Sequence, residues 1–198
     1  MSRQAPNSVA YNSYMRGMHA LEHRFERNNL EESIRLFQES IRLDESYGPA
    51  YLGLATAYAL LPDYRDAAWE EHLDLAIATV EQGIRMDPSI ADPAGAIYGF
   101  VYYQKKEWTR AEENYRRAVS APVVDSNAFS WYSQMLASVG RMEESRDMAL
   151  AGEVIDPDST VVNSRIAMVY TWMNNTTKAH DYFTRANALD ATGIIHDM

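Results

Sequence analysis

Nowhere in the chain do apolar and polar residues alternate over six positions, so no strand is predicted. The apolar residues fall in blocks of helical length, broken by short turns rich in proline, glycine and asparagine. Ten helices are predicted, over 8–24, 30–43, 48–60, 66–86, 92–104, 107–120, 126–139, 141–155, 159–173 and 176–189. All seven prolines are expected between helices or in a first helical turn, Pro49 and Pro93 in the latter. Gly140-Arg141 and Asn174-Asn175 read as tight turns between helices. The longest uncharged run, Ser46 to Pro62, contains Pro49 and reads as a buried helix rather than a membrane span.

The helices repeat. Ala111 and Ala179 lie two 34-residue steps apart, and each is followed seven residues later by a second alanine, Ala118 or Ala186. Ser145 and Gly152 stand at the step between. Three stretches have this length: 92–125, 126–159 and 160–193. Residues 48–90 form the same repeat with an insertion at 61–70, and 10–47 form it with a shorter one. Position eight then reads Gly17, Ala55, Gly99, Ser133, Ala167; position twenty reads Ser33, Ala76, Ala111, Ser145, Ala179. Position twenty-seven reads Ser40, Gly83, Ala118, Gly152, Ala186. Small residues at fixed steps are required where helix backbones cross closely. Position eleven holds Tyr58, Tyr102, Leu136 and Tyr170, with Ala20 the exception. Position twenty-four holds Phe37, Val80, Tyr115 and Phe183, with Ala149 the exception. Asp87-Pro88 and Asp156-Pro157 close repeats, with Asp44-Glu45 and Asp190-Ala191 as weaker forms.

This register resembles the tetratricopeptide repeat over residues 10–193, with departures at position four, where that family favours Trp, and at Pro122-Val123. The resemblance implies an all-α, right-handed superhelix of about five helix-turn-helix repeats, a single solenoid over 10–193. Residues 1–9 are then a linker or an appended end, and 194–198 a tail. The opening Ala10–Leu21, with Leu30–Phe37 and Tyr51–Leu61, is also similar to the C-terminal tails of bacterial membrane-anchored winged-helix regulators and of some adenylate cyclases. That similarity implies a bacterial regulatory or signalling protein, in the cytoplasm or, for the tail of a membrane-anchored regulator, in the periplasm.

Charge narrows the partners. The chain has 18 basic and 28 acidic residues, for a net charge of -10. That disfavours nucleic acid and anionic membrane surfaces. With no cysteine there is neither a disulfide nor a thiolate ligand. His19 and His23 are four apart on a predicted helix with Glu22 between them, but their order is not that of the helical zinc proteases. They read as surface histidines, and no metal or cofactor is assigned. The pairs Glu31-Glu32, Glu70-Glu71, Glu112-Glu113 and Glu143-Glu144 fall near the starts of second helices, where negative charge opposes the helix dipole. Their recurrence speaks for that role over catalysis. There is no phosphate-binding glycine loop and no nucleophile elbow, and a non-enzymatic protein is expected.

Surface remains. In the family resembled, positions two, five, nine, twelve and thirteen of each first helix line a concave groove. These slots hold no Lys or Arg here, which disfavours the clamp for a peptide carboxylate used by the chaperone-binding members. Tyr14, Met18, Phe100, Tyr103, Gln134, Met168 and Trp172 are the expected partner-binding residues, suited to a peptide or a partner helix. The insertion 61–70 is expected to add a loop and lengthen the second helix at its start. Trp69 then either covers the neighbouring core or edges a protruding surface. Two alternatives stay open: a ligand-sensing domain of a transcriptional regulator, and a homo-oligomerisation scaffold such as a homodimer.

Overall fold

The computed structural model describes residues 7–24, 28–65, 67–91, 93–122 and 124–189. The expectations for residues 1–6, Asp66, Asp92, Val123, Asp190-Ala191 and the tail 194–198 lie outside them. Among the described residues the elements of regular structure are all helices: α1 (Ser8–Glu22), α2 (Asn29–Leu43), α3 (Gly48–Tyr64), α4 (Trp69–Met86), α5 (Gly95–Gln104), α6 (Trp108–Val119), α7 (Ser126–Ser138), α8 (Met142–Ile155), α9 (Thr160–Trp172) and α10 (Thr176–Leu189). A short 3-10 helix, Pro88–Ile90, follows α4. The chain divides into two compact units, Met1–Ile97 and Tyr98–Met198. The first holds the pairs α1/α2 and α3/α4; the second holds most of α5 with α6, and the pairs α7/α8 and α9/α10.

Turn chemistry sets the helix limits. Asn28, Lys106, Gly140 and Asn174 have positive φ, and each sits in the turn within a helix pair. In the second unit the turns are superimposable in their hydrogen bonds: Glu107, Arg141 and Asn175 donate backbone N–H to the carbonyls of Tyr102, Leu136 and Tyr170. Those acceptors are position eleven of three successive repeats. A left-handed residue with such a back-bond satisfies carbonyls that a helix end leaves open. Helix starts are capped by short polar side chains: Asn7 accepts from Val9 N–H, Asp125 from Asn127 N–H and Ser159 from Val162 N–H. Asp44 and Asp87 make the same turn, each accepting from the N–H and hydroxyl of the serine two residues on, Ser46 or Ser89.

The insertion is absorbed differently from expectation. The first helix of the pair, α3, is lengthened to Tyr64, while α4 begins only at Trp69. Pro62 therefore lies inside α3, contrary to the expectation that every proline falls between helices or in a first turn. It stands two residues from the helix end, so only the last turn loses a backbone bond. Arg65, just beyond α3, pairs with Glu31 on α2 at 2.5 Å, tying this end to the preceding pair.

All fifteen small positions are buried. Positions eight and twenty face each other within a pair: Ser145 Oγ donates to the Ser133 carbonyl at 2.8 Å, and the two hydroxyls lie 3.0 Å apart. Position twenty-seven meets the start of its own pair. Ser40 Oγ donates to the Ala10 carbonyl at 2.8 Å, and a Cβ at Gly83 would sit 2.6 Å from Tyr51 Cβ. Tyr51 and Phe129, where the family resembled favours Trp, are thus the aromatic partners of Gly83 and Gly152. Against position eight lies the aromatic of position twenty-four: Gly17 abuts Phe37 and Gly99 abuts Tyr115.

Three of the four glutamate pairs occupy first helical turns, in α2, α4 and α8. Glu112-Glu113 does not, because α6 starts at Trp108 and carries no acid in its first turn. Glu112 is instead the hub of a network. It accepts from Arg116 at 2.7 Å, from Arg141 at 2.8 Å and from Tyr132 Oη at 3.0 Å. Burial raises its pKa, but these donors outweigh burial and bring the carboxyl down to about 2. A carboxyl depressed in the folded state adds stability above its unfolded value, and that stability fades as pH falls from 4.5 towards 2. Glu112→Gln is therefore expected to cost about 1–2 kcal/mol near neutrality, after solvent screening. Melting curves of the two proteins should converge as pH approaches 2.

Candidate functional site

The residues expected to bind a partner fall in both compact units. In the first, Tyr14 belongs to an aromatic cluster, 5.3 Å from Tyr47 in an edge-on contact and 6.0 Å from Phe37. Met18 is half-buried on the same helix. A cleft of about 320 Å³ also opens in this unit between α2, α3 and α4, lined by Ile41, Leu54, Leu75, Ala78 and the amides of Gln38 and Gln82. Gln38 donates to Tyr58 Oη there at 2.9 Å.

In the second unit side-chain contacts join the first helices α5, α7 and α9 in sequence. Tyr103 is half-buried, its hydroxyl 3.0 Å from Ser138 Oγ on α7 and its ring edge-on to Trp108. Met168 and Gln134 are half-buried, and Trp172 is 45% exposed at the end of α9. Phe100 departs from expectation. It is 3% exposed, packed on Trp131 at 5.0 Å, and belongs to the core.

That contact identifies a wall position missed from sequence. Trp131 and Arg165 occupy position six of successive repeats, and Phe100 and Gln134 occupy position nine of the repeats before them. Each six reaches back to the preceding nine: Trp131 packs against Phe100 in a tilted contact, and Arg165 Nη2 donates to Gln134 Oε1 at 2.7 Å. The wall of this unit is therefore not free of cations, as the five slots alone suggested. A long side chain at position six crosses to the neighbouring helix. The available signal was the spacing of 31 residues between 100 and 131 and between 134 and 165.

Two serine hydroxyls are buried in the same repeats. Ser130 and Ser164 both stand at position five, and among the described residues no group hydrogen-bonds their buried Oγ atoms. A buried hydroxyl without a partner costs about 1–3 kcal/mol, and Ser130, 1% exposed, belongs with Phe100 to the core. No helix among the described residues is long and apolar enough to cross a membrane.

Helix pairs in a 34-residue register, with small residues at every crossing, define the fold of tetratricopeptide-repeat proteins. Solved structures agree. YrrB, described as a TPR protein with an unusual peptide-binding site, matches 97% of this chain and 98% of its own at 18% identity and a TM-score of 0.50. MamA from Desulfovibrio magneticus matches 94% of this chain and 97% of its own at 17% identity and a TM-score of 0.51. At these identities the likeness is one of fold. Among curated proteins, anaphase-promoting complex subunit 3 of Schizosaccharomyces pombe is 24% identical over 115 residues, 58% of this chain. The chain spans 17% of that relative's length. No protein-family model matches the chain.

Proposed function

We propose that the protein is a non-enzymatic interaction module whose second compact unit takes a peptide or partner helix along α5, α7 and α9. The observation that carries this reading is Trp172, 45% exposed at position thirteen of a first helix. By its place in the repeat register it is assigned to the same wall as Tyr103, Gln134 and Met168, which are half-buried. A rigid aromatic, a pliable thioether and an amide make a surface that anchors apolar side chains and meets a peptide backbone. The peptide-binding character of YrrB supports the same use of this fold. The finer reading, a regulatory or signalling tail of a bacterial protein, rests on the similarity of the first two repeats to such tails.

The test is selection of peptides from a random displayed library on the full chain, followed by affinity measurement. Tyr103→Ala and Trp172→Ala should each weaken the selected peptides about tenfold or more, or about 1.4 kcal/mol. Trp172→Ala should leave the melting temperature nearly unchanged, since the side chain is half in solvent. Affinities unaltered in both variants would remove the assignment.

A further inference from the structure

We propose that His19, Glu22 and His23, at the C-terminal end of α1, form a binding site for a divalent late-transition ion of the Cu²⁺, Ni²⁺ and Zn²⁺ class. The three side chains each offer one ligand atom, and these atoms all lie within 4.8 Å of one another. Sequence spacing alone suggested two histidines; the folded helix adds Glu22 on the same face, one residue before His23. The imidazole rings are 4.3 Å apart between centroids.

The tautomer of His23 is fixed by its surroundings. Its Nδ1 lies 2.9 Å from the His19 carbonyl oxygen, which can only accept. Nδ1 therefore carries the proton, and Nε2 keeps its lone pair for an ion. This is the arrangement found at metal-ligating histidines, whose second ring nitrogen donates to a carbonyl or carboxylate. The backbone of His23 is held as well: its N–H donates to the same His19 carbonyl at 3.1 Å, and its own carbonyl accepts from Asn29 Nδ2 at 2.9 Å. One of the three ligands is thus oriented in advance.

Metal–ligand bonds of about 2.0–2.2 Å place donors about 3.4 Å apart in a tetrahedral shell. Separations of up to 4.8 Å must therefore close by up to about 1.4 Å. His19 and Glu22 are exposed, so rotation about their side-chain bonds achieves this without moving the helix. Two imidazole nitrogens and one carboxylate oxygen suit late-transition ions, whereas Ca²⁺ and Mg²⁺ require shells built of oxygen. Water completes the coordination on the solvent side. The ion would clip the last turn of α1 across positions i, i+3 and i+4, and so stabilise the folded state.

Titration calorimetry on the full chain without added histidines, using Cu²⁺ and then Zn²⁺, tests this site. The expected result is one ion per chain, with Cu²⁺ the tighter and its Kd about 10 μM or below. Nitrogen couplings from two imidazoles should appear in the Cu²⁺ electron paramagnetic resonance spectrum. His19→Gln and His23→Gln should each weaken Cu²⁺ binding at least tenfold, and Glu22→Gln severalfold, with unchanged circular dichroism. The double variant His72→Gln/His180→Gln should bind as the parent does. Binding only at millimolar Cu²⁺ would overturn the proposal. So would affinity that survives loss of His19 and His23, or is lost with His72 and His180.

Discussion

Phe37→Ala is expected to destabilise the protein by about 3–5 kcal/mol, the range for a large buried aromatic truncated in a core that cannot close up. Phe37 is fully buried, and its ring lies between two glycines. A Cβ at Gly17 would fall 2.8 Å from it, and a Cβ at Gly53 would fall 2.5 Å from it. The ring therefore fills the space between α1 and α3 that two missing side chains leave. The glycines are required by the same geometry. Gly53→Ala should cost about 1–3 kcal/mol by overpacking, because the ring that must yield is blocked by Gly17 on the other side. In a Phe37→Leu background the penalty of Gly53→Ala should shrink, since neighbouring substitutions couple. Urea denaturation followed by circular dichroism reads both quantities. Equal costs of Gly53→Ala in the two backgrounds would contradict the sandwich.

The second large effect is at Tyr115 in the second unit, and there two substitutions should differ sharply. Tyr115 is fully buried, packs against Gly99 and stacks on Tyr132 at 5.5 Å. Tyr115→Ala should cost about 3–5 kcal/mol. Its hydroxyl, however, has no hydrogen-bond partner among the described residues. Burial pushes the phenol pKa well above its ordinary value. Tyr115→Phe removes an unsatisfied polar atom and leaves the ring, so it should be neutral or stabilising by up to about 1 kcal/mol. A loss of stability in Tyr115→Phe comparable to that in Tyr115→Ala would show that the hydroxyl, not the ring, holds the site.

The repeat register was readable because its cause is local and strict. A crossing that brings Ser133 and Ser145 hydroxyls to 3.0 Å admits only small residues, and such a constraint returns at every step. The same strictness made the turns at Gly140 and Asn174 visible, since a left-handed residue is needed there. Lys106 fills the equivalent place with φ +63 and gave no such signal, because lysine is not a residue that marks turns. The insertion was misplaced for an opposite reason. Pro62 speaks against a helix, yet near the helix end the missing N–H costs only one bond, and α3 continues through it.

The proposed face was less legible than the fold. Its five slots are positions along the first helices, and the proposal rests on four residues in them, Tyr103, Gln134, Met168 and Trp172. They did not describe what reaches across from the next repeat. Trp131 covers Phe100 and removes it from the surface, and Arg165 brings a charge to Gln134. Both are contacts between repeats, which no single repeat displays. Glu112 shows the same limit. Its neighbours Arg141 and Tyr132 come from the following helix pair, so the sequence offered only a helix-start role.

The chain has four tryptophans, and incorporation of 5-fluorotryptophan gives each its own fluorine resonance. Trp172 and Trp69 are both partly exposed, the first on the proposed face and the second at the start of α4 within the insertion. Titration with a library-selected peptide, read by fluorine NMR, tests the central claim most directly. The Trp172 resonance should shift and saturate with the peptide while the Trp69 resonance stays in place. A saturable shift of Trp69 with Trp172 unmoved would contradict the assignment and place the partner on the insertion.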